Sequence, residues 1–199
     1  MFTLFIDTHF KDVNIVLYKD GKVIDHLTSD NQKHSVVTMP LIVDILKNNN
    51  ITINSIKEII CVNGPGSFTG VRIGVTISKV LAYSLGIKVK VIDFLELMSI
   101  FSNCEYVAIV DKNGAFIGHF KNQKKLDEYI YLNMSDYINF KNNHMVDENV
   151  NIDYEKLYKY MLNIKNTISH LVKPVYVKNI EVGKWLENLR LVILRIFMN

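Results

Sequence analysis

The run Gly64-Pro65-Gly66-Ser67-Phe68-Thr69-Gly70-Val71-Arg72-Ile73-Gly74 constrains the architecture of this chain more than any other stretch. It follows an apolar, β-branched segment, Ile56 to Val62, and opens a helical pattern that reaches Leu85. Pro65 between two glycines cannot continue a strand, and glycine reaches backbone angles that side chains forbid. Ser67 and Thr69 are both natural helix N-caps, and Gly86 is a natural C-cap. The stretch therefore reads as strand, tight turn and helix N-terminus. Such a geometry can hold an anion or simply turn a corner.

The helix that follows carries small residues four apart: Gly70, Gly74, Ser78 and Ala82. Residues at that spacing stack along one face, and interior glycines each cost roughly 0.5–1 kcal/mol relative to alanine. Close approach of another backbone is the usual compensation. Ile73, Ile77, Val80 and Leu81 form a second apolar face, Val71 and Val75 widen the ladder side, and Arg72, Thr76, Lys79 and Tyr83 leave only a narrow polar stripe. One face can cover the domain's own sheet, and the small-residue ladder is expected to receive another helix. A crossing inside the domain is the alternative.

Around this element the order is legible. Phe2 to Ile6 and Val13 to Tyr18 read as strands, and Asp20-Gly21 turns into a third, Val23 to Leu27. His34 to Lys47 reads as a helix in spite of Pro40, and Val89 to Ile92 as a strand. Later come strands at Tyr106 to Val110 and Ala115 to Phe120. A polar stretch, 139–151, precedes a helix expected from Asp153 to Leu171. The apolar residues from Leu186 to Phe197 recur at helical spacing, with Trp185 at their start. That stretch is too short to span a bilayer, which takes roughly 20 residues.

With these residues in view, the run Gly64 to Gly74 resembles the GPGSFTGxRxG signature of the TsaB (YeaZ) family. Ile6-Asp7-Thr8 is similar to that family's IDTS, with His9 in place of the serine. His34-Ser35 and Met39-Pro40-Leu41-Ile42 resemble its HS…LLPLI helix, Gly86-Ile87 its LGIP strand entry, and Pro174 to Lys178 its PLYLR strand. Asp111 matches the start of a DAR-type pattern, but Lys112 and Asn113 stand where alanine and arginine would be. The resemblance is dense over 1–99 and sparse over 100–172.

It implies an α/β, actin-like ATPase fold of the ribonuclease-H-like kind, with a complete N-terminal lobe (1–99), a reduced second lobe (100–172) and a C-terminal strand and tail (173–199). It also implies an accessory subunit for threonylcarbamoyladenosine formation in tRNA. The implied partners are a catalytic subunit, TsaD, an ATPase subunit, TsaE, and a second copy of the chain when TsaD is absent; tRNA is met only through the complex. The expected partner surface is Gly70, Gly74, Ser78, Ala82, Val71 and Val75 with His34, Met39 and Leu41. Gly64, Pro65, Gly66, Ser67, Phe68, Thr69 and Arg72 form the signature loop, and Asp7 with Thr8 marks a vestigial nucleotide site.

The rest of the sequence bounds the chemistry. The chain has 199 residues and a net charge of +3. Its arginines are Arg72, Arg190 and Arg195, so no arginine-rich nucleic-acid surface is expected. His9, His26, His34, His119, His144 and His170 include no pair at helical metal-ligand spacing. His34 reads as a hydrogen-bonding group at a helix end. No Walker lysine motif or serine elbow is present, so neither catalytic residues nor a metal or other cofactor is expected. Cys61 and Cys104 read as buried thiols of a cytoplasmic protein without a membrane segment. The competing expectation is a stand-alone nucleotide-binding protein or ATPase of the same fold.

Overall fold

The computed structural model describes residues 1–30 and 33–177. Strands β1 (Phe2–Asp7), β2 (Val13–Lys19) and β3 (Lys22–Ser29) form an antiparallel meander, with Ile6 opposite Ile15. Asp20 and Gly21 turn between β2 and β3 at φ 52° and 83°, which matches the twist of a two-residue hairpin. Helix α1 (His34–Asn48) follows and runs continuously across Pro40. Strand β4 (Ile56–Val62) then pairs parallel with β1, and after helix α2 (Phe68–Leu85) strand β5 (Lys88–Ile92) pairs parallel with β4. The sheet order is β3-β2-β1-β4-β5, the mixed order expected of an actin-like, ribonuclease-H-like lobe. β1 and β4 are near-continuous apolar runs because both their faces are covered, whereas the edge strand β3 alternates.

α1 and α2 lie on one face, where Ile42, Ile45, Val71 and Val75 close over Leu4, Ile6, Ile15 and Ile59. Helices α3 (Phe94–Ser99) and α5 (Tyr154–Met161) contribute to the core on the other face, over Phe5, Val16, Tyr18 and Ile60. The second sheet contains β6 (Tyr106–Val110), β7 (Gly114–Lys121), β8 (Lys124–Lys125), β9 (Ile130–Asn133) and β10 (Val146–Asp147). Its order is β10-β6-β7-β8, with β9 also on β7, and helix α4 (Met134–Asn143) packs against β7 and β9.

Three expectations fail here for visible reasons. The helix expected to reach Leu171 stops at Met161. There the Lys90 ammonium donates to the Met161 carbonyl (2.8 Å), and the Thr167 N–H then donates to the Val89 carbonyl (2.7 Å), pulling the chain into a bridge with β5. Residues 172–177 form no regular strand, although the Val175 N–H donates to the Asn63 carbonyl. Lys178 and the apolar tail lie outside the described residues. Cys61 is buried in β4, where burial pushes its thiol up to about 12, but Cys104 is half-buried in the turn before β6.

The two sheets are tied together through Asp93. It caps α3 by accepting the Glu96 N–H (2.9 Å) and also accepts the Tyr129 hydroxyl (2.8 Å) from beside β9. Burial pushes its carboxyl up to about 6, above its unfolded value, so the folded state binds the proton more tightly. Stability is therefore expected to fall as pH rises from about 4 to about 6. Asp93→Asn keeps a cap oxygen without the charge. It should abolish that slope and raise stability at pH 7 by up to ~2 kcal/mol, which denaturant melts at pH 4 and pH 7 would read.

Candidate functional site

The end of β1, the signature loop and the start of α2 form one joint. The Thr8 hydroxyl donates to the Gly70 carbonyl (2.6 Å) and accepts the Gly74 N–H (3.0 Å), so it sits across one step of the helix. A Cβ on Gly70 would lie 2.3 Å from the Thr8 carbonyl oxygen, and one on Gly74 would lie 2.4 Å from the Thr8 hydroxyl. Those distances explain both glycines: the end of a strand occupies the space. Gly66 is held likewise, since its Cβ would meet the His9 carbonyl at 2.1 Å, the same carbonyl that accepts the Ser67 N–H. Ser67 caps α2 through its side chain, which accepts from Gly70 N–H.

The small-residue ladder is therefore an internal surface. Gly70, Gly74, Ser78 and Ala82 are buried, as are Val71 and Val75; what approaches both glycines most closely is Thr8, just past the end of β1, and the His34 ring of α1 also comes close to Gly70. His34 is buried too, its ring donating from Nε2 to the Lys11 carbonyl (3.0 Å), and Leu41 packs against the core. Of the expected surface residues, Met39 is exposed. Expecting the ladder to face outward overlooked Thr8, whose spacing from Gly70 gives no local signal.

What α1 and α2 do turn outward is a different apolar set. Val36, Met39 and Val43 recur at three- and four-residue spacing on α1, and Val80 and Tyr83 lie exposed on α2. Val36 and Val80 are each 60% exposed and Tyr83 is 80% exposed, on helices whose opposite faces are fully packed. Nothing in periodicity alone distinguished this face from the ladder, because α2 is apolar over most of its circumference.

Asp7 and Thr8 are already engaged. Asp7 Oδ1 accepts both the His9 N–H (2.9 Å) and the ring Nδ1–H of His9 (2.7 Å), and the ring stacks on Phe94 with centroids 3.7 Å apart. An aspartate held this way braces the turn after β1, and Thr8 has its hydroxyl inside α2. Among the described residues no group of three or more histidine, cysteine or carboxylate side chains is placed to hold a metal ion.

At the start of α2 the signature loop faces β6–β7 across two adjoining clefts, of about 730 and 710 Å3. Phe10, Ser67, Asp111 and Lys112 line both. The first is flanked by an exposed stack: the Arg72 guanidinium lies 3.5 Å from the Phe68 ring centre and donates from Nε to the Tyr176 hydroxyl (2.7 Å). The second is lined by Lys11, Lys33 and Lys112. Sequence reading picked out Phe68 and Arg72 as parts of a motif but did not bring these lysines together.

The family profile described as TsaD: tRNA N6-adenosine threonylcarbamoyltransferase matches residues 24–106. The chain is 37% identical over 100 residues to the tRNA threonylcarbamoyladenosine biosynthesis protein TsaB of Bacillus subtilis, covering 50% of this chain and 44% of that one. It is 35% identical over 96 residues to the protein of the same name from Escherichia coli, covering 48% and 41%. The match thus spans less than half the length of these curated relatives. In fold, the chain superimposes on YeaZ from Pseudomonas aeruginosa with a TM-score of 0.69 at 17% identity, covering 88% of this chain and 100% of that one. A second structure, an uncharacterised Pseudomonas aeruginosa protein with similarity to peptidase YeaZ, gives 0.70 at 15% identity, covering 89% and 99%. Among the described residues no helix is long and apolar enough to cross a membrane.

Proposed function

We propose that this chain is a TsaB (YeaZ)-type, non-catalytic subunit that docks a TsaD-type transferase during threonylcarbamoyladenosine formation in tRNA. The observation that carries the reading is the exposed apolar face of α1 and α2, Met39, Val43, Val80 and Tyr83 above all. The region matched by the TsaD profile includes both helices, so such a partner would present equivalent helices. Two chains built on one lobe can pair equivalent faces nearly symmetrically, and a second copy of this chain could compete for the same face. A cytoplasmic complex that also recruits the ATPase TsaE, and modifies tRNA at TsaD, completes the reading. The stand-alone nucleotide-binding alternative is disfavoured because the hydroxyl of Thr8 and a carboxylate oxygen of Asp7 are held by neighbouring groups.

Co-expression with the host's TsaD, followed by size-exclusion chromatography, tests it. The wild-type chain should co-elute with TsaD. Met39→Asp/Val80→Asp should weaken association at least ~100-fold, since central apolar contacts are each worth about 2 kcal/mol or more. Both side chains are exposed in the free chain, so its thermal midpoint should hardly move. A double variant that still co-elutes would move the interface elsewhere.

A further inference from the structure

The two clefts beside the signature loop combine features that the docking face lacks. Lys11 and Lys112 line the second cleft, and neither makes an ion pair among the described residues. Lys33 lines the same cleft. In the first cleft, Phe68 and Tyr176 are 44% and 51% exposed, with rings 5.5 Å apart and the Arg72 guanidinium over one of them. Asp111, the acid of the groove, is held internally: Oδ1 accepts the N–H groups of Asn113 (2.6 Å) and Gly114 (2.9 Å) and the Tyr131 hydroxyl (3.0 Å).

We infer that this groove binds single-stranded RNA directly, with Lys11, Lys112 and Arg72 on phosphates and the Phe68–Tyr176 pair as a stacking platform for a base. Cations that track a backbone, interleaved with exposed aromatic rings, are the chemistry by which single strands are held without sequence readout. The dimensions favour a strand over a free nucleotide. Each cleft alone has the volume of a whole small-ligand site, roughly 300–1,000 Å3. Lys112 joins them, so rings and lysines are divided between two neighbouring pockets. The chain would thus contribute to holding tRNA rather than meet it only through a partner. The inference does not rest on the docking reading: of the outward apolar residues of α1 and α2, Val36 lines the second cleft, but Met39, Val43, Val80 and Tyr83 line neither.

The test is fluorescence anisotropy of the purified full chain with a labelled oligouridine about eight nucleotides long, with unmodified tRNA and ADP as competitors. Three phosphate contacts predict that affinity falls ~20-fold between ~50 and ~200 mM salt. Lys11→Glu/Lys112→Glu should weaken binding at least tenfold at the lower salt and flatten that dependence. Phe68→Ala should weaken it about tenfold while leaving the salt slope nearly unchanged. Lys57→Glu/Lys159→Glu makes the same change of charge outside the groove and should retain the wild-type slope. Thermal midpoints of all variants verify folding. Absence of binding at ~50 mM salt would overturn the inference, as would equal losses in both lysine pairs. Displacement of the oligonucleotide by low micromolar ADP but not by tRNA would overturn it in favour of a mononucleotide pocket. Loss of TsaD association in Met39→Asp/Val80→Asp with RNA binding intact would separate this inference from the docking reading.

Discussion

Gly74→Ala is expected to destabilise the protein by ~3 kcal/mol, combining overpacking of ~1–3 kcal/mol with the disturbed Thr8 hydrogen bonds. For a chain of this size that lowers the thermal midpoint by ~6–12 °C. The new methyl group would stand 2.4 Å from the Thr8 hydroxyl, which has no room to rotate because it already bridges Gly70 and Gly74. Gly74→Leu should leave no folded protein, so it reports on folding and not on partner binding. A double-mutant cycle with Thr8→Ala isolates the cause. Removing the hydroxyl creates space for the methyl, so the two substitutions together should cost less than their sum by about 1 kcal/mol or more. Strict additivity, or a Gly74→Ala protein as stable as the wild type, would show that the hydroxyl does not set the glycine requirement.

The second large effect concerns a charge pair under α5. Lys90 on β5 and Glu58 on β4 are both buried, 3.5 Å apart, and Lys90 also donates to the Met161 carbonyl. Lys90→Met leaves a buried carboxylate without its cation and removes one of the two donors to the Met161 carbonyl, the Ile164 N–H remaining, and is expected to cost ~3–5 kcal/mol. Glu58→Leu/Lys90→Met removes both charges, so it should recover most of that loss even though the Met161 carbonyl keeps only the Ile164 N–H. Chemical denaturation of the two variants reads the difference. If the double variant is no more stable than Lys90→Met, the loss comes from the Met161 contact rather than from the unpaired charge.

How much of this was legible depended on the range over which each signal acts. The meander, α1, β4, α2, β5 and the β6–β7 pair were all readable, because glycine turns, caps and apolar periodicity are local. Gly86 caps α2 in the left-handed conformation, as its position in the sequence indicates. The early end of α5 was not readable, because Lys90 and Val89 compete for the backbone of residues 161–167 from far away in sequence. The short strands β8 to β10 carry too few residues for a period. Within the candidate site, the motif located the joint correctly but not what fills it. The partner of Gly70 and Gly74 is Thr8, which lies 62 and 66 residues from them. Small residues at helical spacing are equally suited to a neighbouring helix, a strand end or another chain, so spacing alone could not choose.

The joint around Thr8 separates two kinds of information in this chain. Gly66, Ser67, Gly70 and Gly74 of the signature are committed to holding the end of a strand against a helix, and a substitution there is felt first as lost stability. Met39, Val43, Val80 and Tyr83 lie outside that joint and are exposed, so the isolated fold places little demand on their identity. If a partner docks there, as proposed, its choice can drift on the outer faces of α1 and α2 while the motif stays fixed. Two chains with identical signatures can in this way prefer different companions.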